Sequence, residues 1–445
     1  MRPDRGSVRS CAAWAIDRTL DSRASADRYL GEVATHFDLV DRKLLYQLAL
    51  GTLRWLRRLD HVIAKASSRS PGQIDPLLRA PLRLATYEML FLDRVPTYAS
   101  VNEAVEEATR RRQSRGGSFV NAVLRRISQR PQLTRWPVSE RDVIRKLGIE
   151  TSHPDFLVER WMRQFGEQET RRLLDVNNRP KPVHLLTFED RGNGPPAARD
   201  LLALKVSTRP SKLSPLGLIV EEGDPFSTAV FHRGDLYGQD EVSQSAALIP
   251  PPRLGERVLD LAAAPGGKTF SLLASEPSLV PFASELQLSR LLVLRANASR
   301  LGRKIPTVVA DGARPPYRGG FDRVVVDLPC SGTGTLRKHP ELKWRIDGKE
   351  LYRLQTQGRR IVEGAAQLPR DGGLLVIITC SLEEEESVGV VESLVQKHKE
   401  LELVNLQQES LGRSSEFIVG RGFWRVLPAE DHDGATVHVL RRRDR

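Results

Sequence analysis

In the first third of the chain the apolar residues return at helical spacing. Leu44, Leu45, Leu48 and Leu53 fall near one face, and Leu84, Tyr87, Met89, Leu90 and Leu92 repeat the pattern further on. This predicts an all-α domain from about Ser7 to Arg130. Pro71-Gly72 and Asp93-Arg-Val-Pro96 punctuate it, and Ser114-Arg-Gly-Gly117 interrupts a basic run (Arg110, Arg111, Arg112, Arg115) between two helical segments. Those arginines read equally as a solvated helix end or as a phosphate-facing patch. Between about Pro131 and Pro250 the pattern weakens, and Gly192-Asn-Gly-Pro-Pro196 is a loop by composition.

From about Gly238 the period changes to alternating strands and helices. Arg257 to Ala262, Leu279 to Ser284, Ile305 to Ala310, Arg323 to Val326 and Leu374 to Ile378 read as strands. A helix starts at Gly267, and Leu286 to Leu301 and Leu351 to Leu368 read as helices. Strands and helices in alternation predict a doubly wound α/β sheet.

The chemistry-bearing residues gather at one edge of that sheet. Asp260 ends the first strand, Glu285 follows the second, Asp311 the third, Asp327 and Cys330 the fourth, and Cys380 the fifth. Open α/β sheets collect ligands at the carboxyl ends of their strands, so five coincident placements point to a site more strongly than any one motif. After the first strand runs Ala262-Ala-Ala-Pro-Gly-Gly-Lys-Thr269. Its glycines let backbone approach a ligand, and the free N–H groups of the helix that follows favour an anionic group. The loop nearly matches the phosphate-binding pattern of nucleotide hydrolases, but Ala262 stands where the first glycine would be and Pro265 removes a donor. Glu285 lies 19 residues beyond Gly266, close to the roughly 20 expected of an acid that binds ribose hydroxyls. A nucleoside-containing cofactor is the reading that follows.

Charge adds a partner. The 445 residues carry 68 Lys and Arg against 56 Asp and Glu, a net charge of +12, which favours an anionic partner and above all nucleic acid. Three cysteines without a C-x-x-C pair (Cys11, Cys330, Cys380) argue against a disulfide framework and a cysteine zinc site. No window approaches the roughly 18 apolar residues of a membrane span. A cytoplasmic monomer without metal or membrane partner is expected.

Here a resemblance becomes specific. Phe91-Leu-Asp-Arg-Val-Pro96, Val101-Asn-Glu-Ala-Val-Glu-Glu-Ala108 and Phe119-Val-Asn-Ala-Val-Leu-Arg-Arg126 resemble the NusB-like RNA-binding domain fused to bacterial ribosomal RNA cytosine methyltransferases. Ser152 to Trp161 and Asn177 to Pro182 resemble the connecting region of the same proteins, a helix leading into a small α+β unit. The glycine loop, the strand-end acids, Asp327-Leu-Pro-Cys330, and Thr379-Cys380-Ser381 followed by Glu385-Glu386 are similar to the motifs of the RsmB/Sun family of RNA 5-methylcytosine methyltransferases. The resemblance implies three domains: a NusB-like domain over 1–135, a connecting and RNA-binding region over 136–237, and a Rossmann-like methyltransferase domain over 238–445. It implies S-adenosylmethionine held by Ala262, Ala263, Ala264, Pro265, Gly266, Gly267 and Lys268, with Glu285 on the ribose, Asp311 near the adenine, and Asp327 between cofactor and base. The substrate would be a cytosine of small-subunit (16S) ribosomal RNA. Cys380 takes the nucleophile position, Cys330 assists product release and Asp327 activates the base.

Three departures accompany the likeness. Ala262 stands where the family usually has cysteine, Ser271 replaces a frequent histidine, and Asp433-Gly-Ala-Thr436 lacks two aromatics that usually follow the glycine. The last raises the question of how the final strand packs.

Cytosine C5 is a weak nucleophile, and a thiolate added at C6 turns the ring into an enamine that can take a methyl group. This calls for a cysteine with a lowered pKa, which a helix start at Leu382 or Glu383 would favour and the acids there would oppose. The alternative for either cysteine is a small buried hydrophobe. Lys268 either orients the pyrimidine or forms a structural salt bridge. His153 reads as a turn or capping residue before Pro154 ahead of a catalytic one, and Arg179, Lys181 and Arg191 as solvated charges or RNA contacts. Arg337, Lys338 and His339 are candidates for phosphates beside the base. A DNA cytosine methyltransferase and a non-catalytic RNA-binding factor are the competing classes.

Overall fold

A computed structural model describes residues 3–135, 139–188, 197–405, 417–420 and 422–444; Arg191 and the loop 192–196 lie outside the described residues. The chain forms two compact units, one of Met1–Arg179 with Leu336–Ile346, the other of Pro180–Thr335 with Asp347–Arg445.

The first unit is helical. It opens with α1 (Val8–Asp21), α2 (Ala26–Ala34), α3 (Leu39–Arg54), α4 (Leu56–Ser67), α5 (Pro76–Phe91) and α6 (Thr97–Gln129). Local chemistry sets their starts: Ser7 accepts from Ser10 N–H, Asp38 from Asp41 N–H, and Asp75 from Leu77 N–H ahead of Pro76. Leu45, Leu48, Leu53, Leu84 and Tyr87 are buried in one core with Cys11, as the spacing predicts. Helix α6 does not break at its glycines. The backbone leaves helical geometry at Arg112 and Gln113, whereas a Cβ on Gly116 would stand 2.8 Å from the Ala108 carbonyl oxygen, so that glycine serves close packing after the kink. Of the basic run, Arg110 pairs with Glu107 (2.7 Å), Arg111 with Glu107 and Asp17 (both 2.5 Å), and Arg112 with Asp75 (2.6 Å). Three of the four arginines thus hold carboxylates of their own unit.

Two further helices, α7 (Val143–Glu150) and α8 (Asp155–Val176), complete the series. His153 between them is fully buried, its Nδ1 at 2.8 Å from the Thr151 carbonyl, the turn role expected. The segment Leu336–Ile346 serves the helix ends of this unit, where carbonyls lack partners within the helix. Lys343 Nζ donates to Arg54 O (2.7 Å), Trp344 Nε1 to Leu53 O (2.7 Å) and Arg345 to Thr19 O (2.9 Å). Burial holds the Lys343 ammonium well below its usual pKa. Arg337 is correspondingly 3% exposed and Arg54 donates to its carbonyl, so it is a packing residue rather than an open phosphate ligand. His339 is partly buried, and of the three only Lys338 is exposed.

The second unit holds two sheets. A small antiparallel one runs in the order β2-β3-β1-β4, with β1 (His184–Thr187), β2 (Ser207–Pro210), β3 (Gly217–Glu222) and β4 (Leu236–Gly238). The large one contains β5 (Arg257–Asp260), β6 (Val280–Glu285), β7 (Thr307–Val309), β8 (Phe321–Asp327), β9 (Pro369–Thr379), β10 (Leu401–Leu403), β11 (Phe417–Gly420), β12 (Phe423–Val426) and β13 (Ala435–Arg442). Its order is β11-β12-β13-β9-β8-β5-β6-β7, with β10 also on β13. From β9 to β7 the neighbours are parallel, and β13 joins β9 antiparallel. The antiparallel extension lies beyond what the βα alternation foretold, because β12 and β13 follow one another with no helix between them.

Both faces are covered. Val325, Val376 and Ile378 pack with Val242, Ala246 and Leu272 on one side, and Val324, Val326, Leu375 and Ile377 with Ile361, Val362 and Val390 on the other. A strand buried on both faces needs a continuous apolar run, which is why Val324-Val-Val326 does not alternate. Lys181 overturns an expectation: instead of a solvated charge it is partly buried, held between Asp240 (2.7 Å) and Asp433, the two carboxylates that keep its ammonium charged against desolvation. Arg179 is half exposed and pairs with Asp175. Among the described residues no helix is long and apolar enough to cross a membrane.

Candidate active site

The parallel strands bring the expected acids to one edge. Asp260 closes β5, Glu285 closes β6, Asp327 closes β8, and Asp311 follows β7. Backbone bonds between neighbouring loops fix their order: Leu261 N donates to Val325 O (2.9 Å), Ala263 N to Ser284 O (2.9 Å), and Ala310 N to Glu285 O (3.1 Å). The strand order reverses between β5 and β8, where such sheets open a crevice.

After β5 the chain turns through Ala262, Ala263, Ala264 and Pro265, with Gly266 N bonded to Ala263 O at 2.7 Å. Gly266 has φ +112°, a region costly to side chains, and it caps the helix Gly267–Ser275. The first N–H groups of that helix have no intrahelical acceptor. Glu285 is 4% exposed and Asp311 is open, so one acid lies deep and one at the rim. Asp260 is buried. Its Oδ2 accepts from the Thr269 hydroxyl (2.7 Å), and among the described residues its Oδ1 has no partner. The turn, the unpartnered buried oxygen and the strand-end carboxylates, which suit hydroxyls and amines, form a cradle that fits a nucleoside.

Burial pushes the Asp260 carboxyl up from 3.8 to about 6, against the Thr269 hydrogen bond. A carboxyl raised in the folded state adds stability at acid pH that is lost as the pH climbs through its folded pKa. Asp260→Asn should abolish this loss, gaining about 3 kcal/mol on wild type between pH 4 and pH 7. Thermal melts of ligand-free protein at both pH values measure it, and equal pH dependence in the two proteins would refute the assignment.

Beside the cradle, Lys268 Nζ lies 2.6 Å from Asp327 Oδ2. Burial disfavours the ammonium, yet Asp327 outweighs it and the Lys268 pKa rises. Cys330 Sγ and Cys380 Sγ are 3.1 Å apart at the ends of adjacent strands. The Cys380 thiol is pushed well above its ordinary pKa by its hydrogen bond with Cys330, by its dense surroundings and by Asp327, while Lys268 acts the other way. The expected thiolate-stabilising helix start is absent: Leu382 precedes a single turn of 3-10 helix at Glu384–Glu386, and the α-helix begins only at Val388. Cys380 therefore rests as a thiol.

The two cysteine loops are bonded to each other. Ser331 and Ser381, which follow the cysteines, have hydroxyl oxygens 3.2 Å apart. Thr333 Oγ1 accepts from Leu382 N (2.8 Å), and Gly334 N donates to Cys380 O (2.8 Å). Among the described residues no cluster of His, Cys, Asp and Glu is arranged to hold a metal ion.

Comparison with known proteins gives the family. Residues 247–440 match the family 16S rRNA methyltransferase RsmB/F, and residues 7–129 match the NusB family. Over 431 residues the chain is 30% identical to the probable ribosomal RNA small subunit methyltransferase B of Bacillus subtilis (strain 168), with 95% of each chain covered. The chain belongs to the RsmB/F methyltransferase family. Its fold is similar to that of PH0851 (TM-score 0.80, 24% identity, 99% of each chain covered). It is similar also to NSun6 from Pyrococcus horikoshii with SFG (TM-score 0.57, 20% identity, 66% of this chain and 99% of that one).

As an RsmB/F member the chain absorbs its departures locally. Ser271, in place of histidine, donates to Gln239 Oε1 (2.9 Å), a partner that sequence reasoning missed because Gln239 lies well ahead of the first predicted strand at Arg257. The last strand is intact without its aromatics: Ala435 is buried in the sheet core, and Thr436 Oγ1 accepts from the buried Arg425 (3.0 Å). Ser331, Ser381 and Glu386 also escaped notice as site residues. Glu386 was visible only as one of a run of acids, and nothing in such a run marks which member turns inward.

Proposed function

We propose that this RsmB/F protein transfers a methyl group from S-adenosylmethionine to C5 of a cytosine in small-subunit ribosomal RNA, through a covalent Cys380–C6 adduct. The observation that carries the reading is the pair of thiols 3.1 Å apart beside the Lys268–Asp327 ion pair. The Bacillus subtilis relative's name supplies the RNA class, and the NSun6 structure with SFG, an analogue of S-adenosylmethionine, supports the cofactor.

Ala262 to Lys268, Glu285, Asp311 and Asp327 would hold the cofactor, Glu285 and Asp311 accepting from its hydroxyl and amino groups. When bound, it supplies an electrophilic methyl group on a sulfonium centre. The protein must make C5 nucleophilic. As its sulfur bonds to C6, Cys380 gives up its proton to the Asp327 carboxylate, aided by the charge of Lys268, and Asp327 passes that proton to N3, which takes up the electron pair displaced from C5=C6 through the ring. After methylation N3 returns its proton to Asp327, and Cys330, once its own proton has passed to solvent, takes the C5 proton. The C5–H electron pair restores the C5=C6 bond and the C6–S bond breaks, returning Cys380. The base must leave its stack to reach the crevice, and the net charge of +12 suits the surrounding phosphates. Such a substrate places the reaction in the cytoplasm, and a single chain carries every group named.

The test is direct. Full-length protein, labelled S-adenosylmethionine and unmodified 16S ribosomal RNA should yield 5-methylcytosine at a bisulfite-resistant position. Methylation of DNA in preference to RNA, or RNA binding without methyl transfer, would select one of the competing classes.

A further inference from the structure

Glu386 takes no part in the chemistry above, yet its carboxylate is buried, with 2% of the residue exposed and no ion pair among the described residues. An uncompensated carboxylate is costly to bury unless donors surround it. Those donors come from the residue after Cys330. Glu386 Oε1 accepts from Ser331 N–H (2.9 Å) and Oε2 from the Ser331 hydroxyl (2.5 Å). The Ser331 hydroxyl in turn meets that of Ser381, the residue after Cys380. Binding the Ser331 N–H fixes the plane of the Cys330–Ser331 peptide, and with it the direction in which the Cys330 side chain leaves the backbone. Burial raises the Glu386 pKa although Ser331 and Ser381 work against the rise, so the group is held by hydrogen bonds more than by charge.

We propose that Glu386 is a positioning residue for adduct release, holding Cys330 at the distance from which its sulfur reaches the C5 proton of the base bonded to Cys380. The proposal rests on the cysteine roles given under the proposed function. Only the release step depends on Cys330, so loss of Glu386 should stall the reaction after the adduct has formed.

The experiment compares full-length wild type, Cys330→Ser, Glu386→Ala, Glu386→Gln and Ser331→Ala, each with S-adenosylmethionine and unmodified 16S ribosomal RNA. Turnover and the amount of denaturation-resistant protein–RNA adduct are read together. Glu386→Ala should lose about 100-fold in turnover, the scale of a misplaced reacting group, while accumulating adduct as Cys330→Ser does. Glu386→Gln keeps an acceptor for the Ser331 N–H and should recover most turnover. Ser331→Ala, which removes one of the two bonds, should trap adduct to a smaller extent and stands in if Glu386→Ala fails to fold. A merely structural role would lower activity without building up adduct. If Cys330→Ser traps adduct but neither Glu386→Ala nor Ser331→Ala does, the positioning role is wrong. Should Cys330→Ser itself trap none, the cysteine roles beneath the proposal have failed instead.

Discussion

Cys380→Ser should reduce methyl transfer to ribosomal RNA by about 10⁴-fold or more, the scale seen when a covalent nucleophile is removed, and should form no adduct. Cys330→Ser should do the opposite to the adduct, converting turnover into a protein–RNA species that survives denaturation. The asymmetry follows from place rather than residue type, since both are thiols at the ends of parallel neighbours 3.1 Å apart. Serine at position 380 offers a hydroxyl whose ionisation is far harder than a thiol's, so the C6 bond does not form. At position 330 the same change leaves addition intact and removes only the base that frees C5 of its proton. Gel mobility of denatured mixtures, with and without S-adenosylmethionine, reads both outcomes. An adduct in Cys380→Ser and none in Cys330→Ser would give Cys330 the nucleophile's part, as in a DNA enzyme.

Lys268→Met should lower methyl transfer about 100-fold at neutral pH, on the order of 3 kcal/mol for removing the cation from a largely enclosed pair. Lys268 neutralises Asp327 and is the group that draws the Cys380 pKa down. Without it the thiol should ionise at higher pH, so alkylation of Cys380 shifts to the alkaline side together with the pH–rate profile. Asp327→Asn separates the two effects. It removes a charge that raises the Cys380 pKa, so alkylation should move toward lower pH, yet methyl transfer should still fall by about 10²- to 10⁴-fold because proton sharing at N3 is lost. Opposite shifts in alkylation with losses of turnover in both variants are the expected signature; shifts in the same direction would refute the assigned roles.

Much of this arrangement was legible before any coordinates. The helical period placed Leu45, Leu48 and Leu53 in a core because a helix must bury one stripe, and the βα alternation placed Asp260, Glu285, Asp311, Asp327 and Cys380 at one edge because parallel strands all end on the same side. Where sequence reasoning went wrong, the error concerned the surroundings of a charged group. Lys181 and Arg337 looked solvated or RNA-facing, since a linear pattern cannot reveal two carboxylates (Asp240 and Asp433) arriving from distant segments, or the Arg54 guanidinium donating to the Arg337 carbonyl from almost three hundred residues away.

The sequence by itself determined the element types, the edge at which the acids and thiols converge, and the residue kinds that cytosine chemistry requires. Those depend on local periodicity and on strand direction, both carried by neighbouring residues. Only the tertiary structure decided that Cys380 rests as a thiol, that Lys268 is committed to Asp327, and that Glu386 turns inward to grip Ser331. Each of these is set by burial and by partners from other strands and loops, and desolvation and hydrogen bonding act through space rather than along the chain.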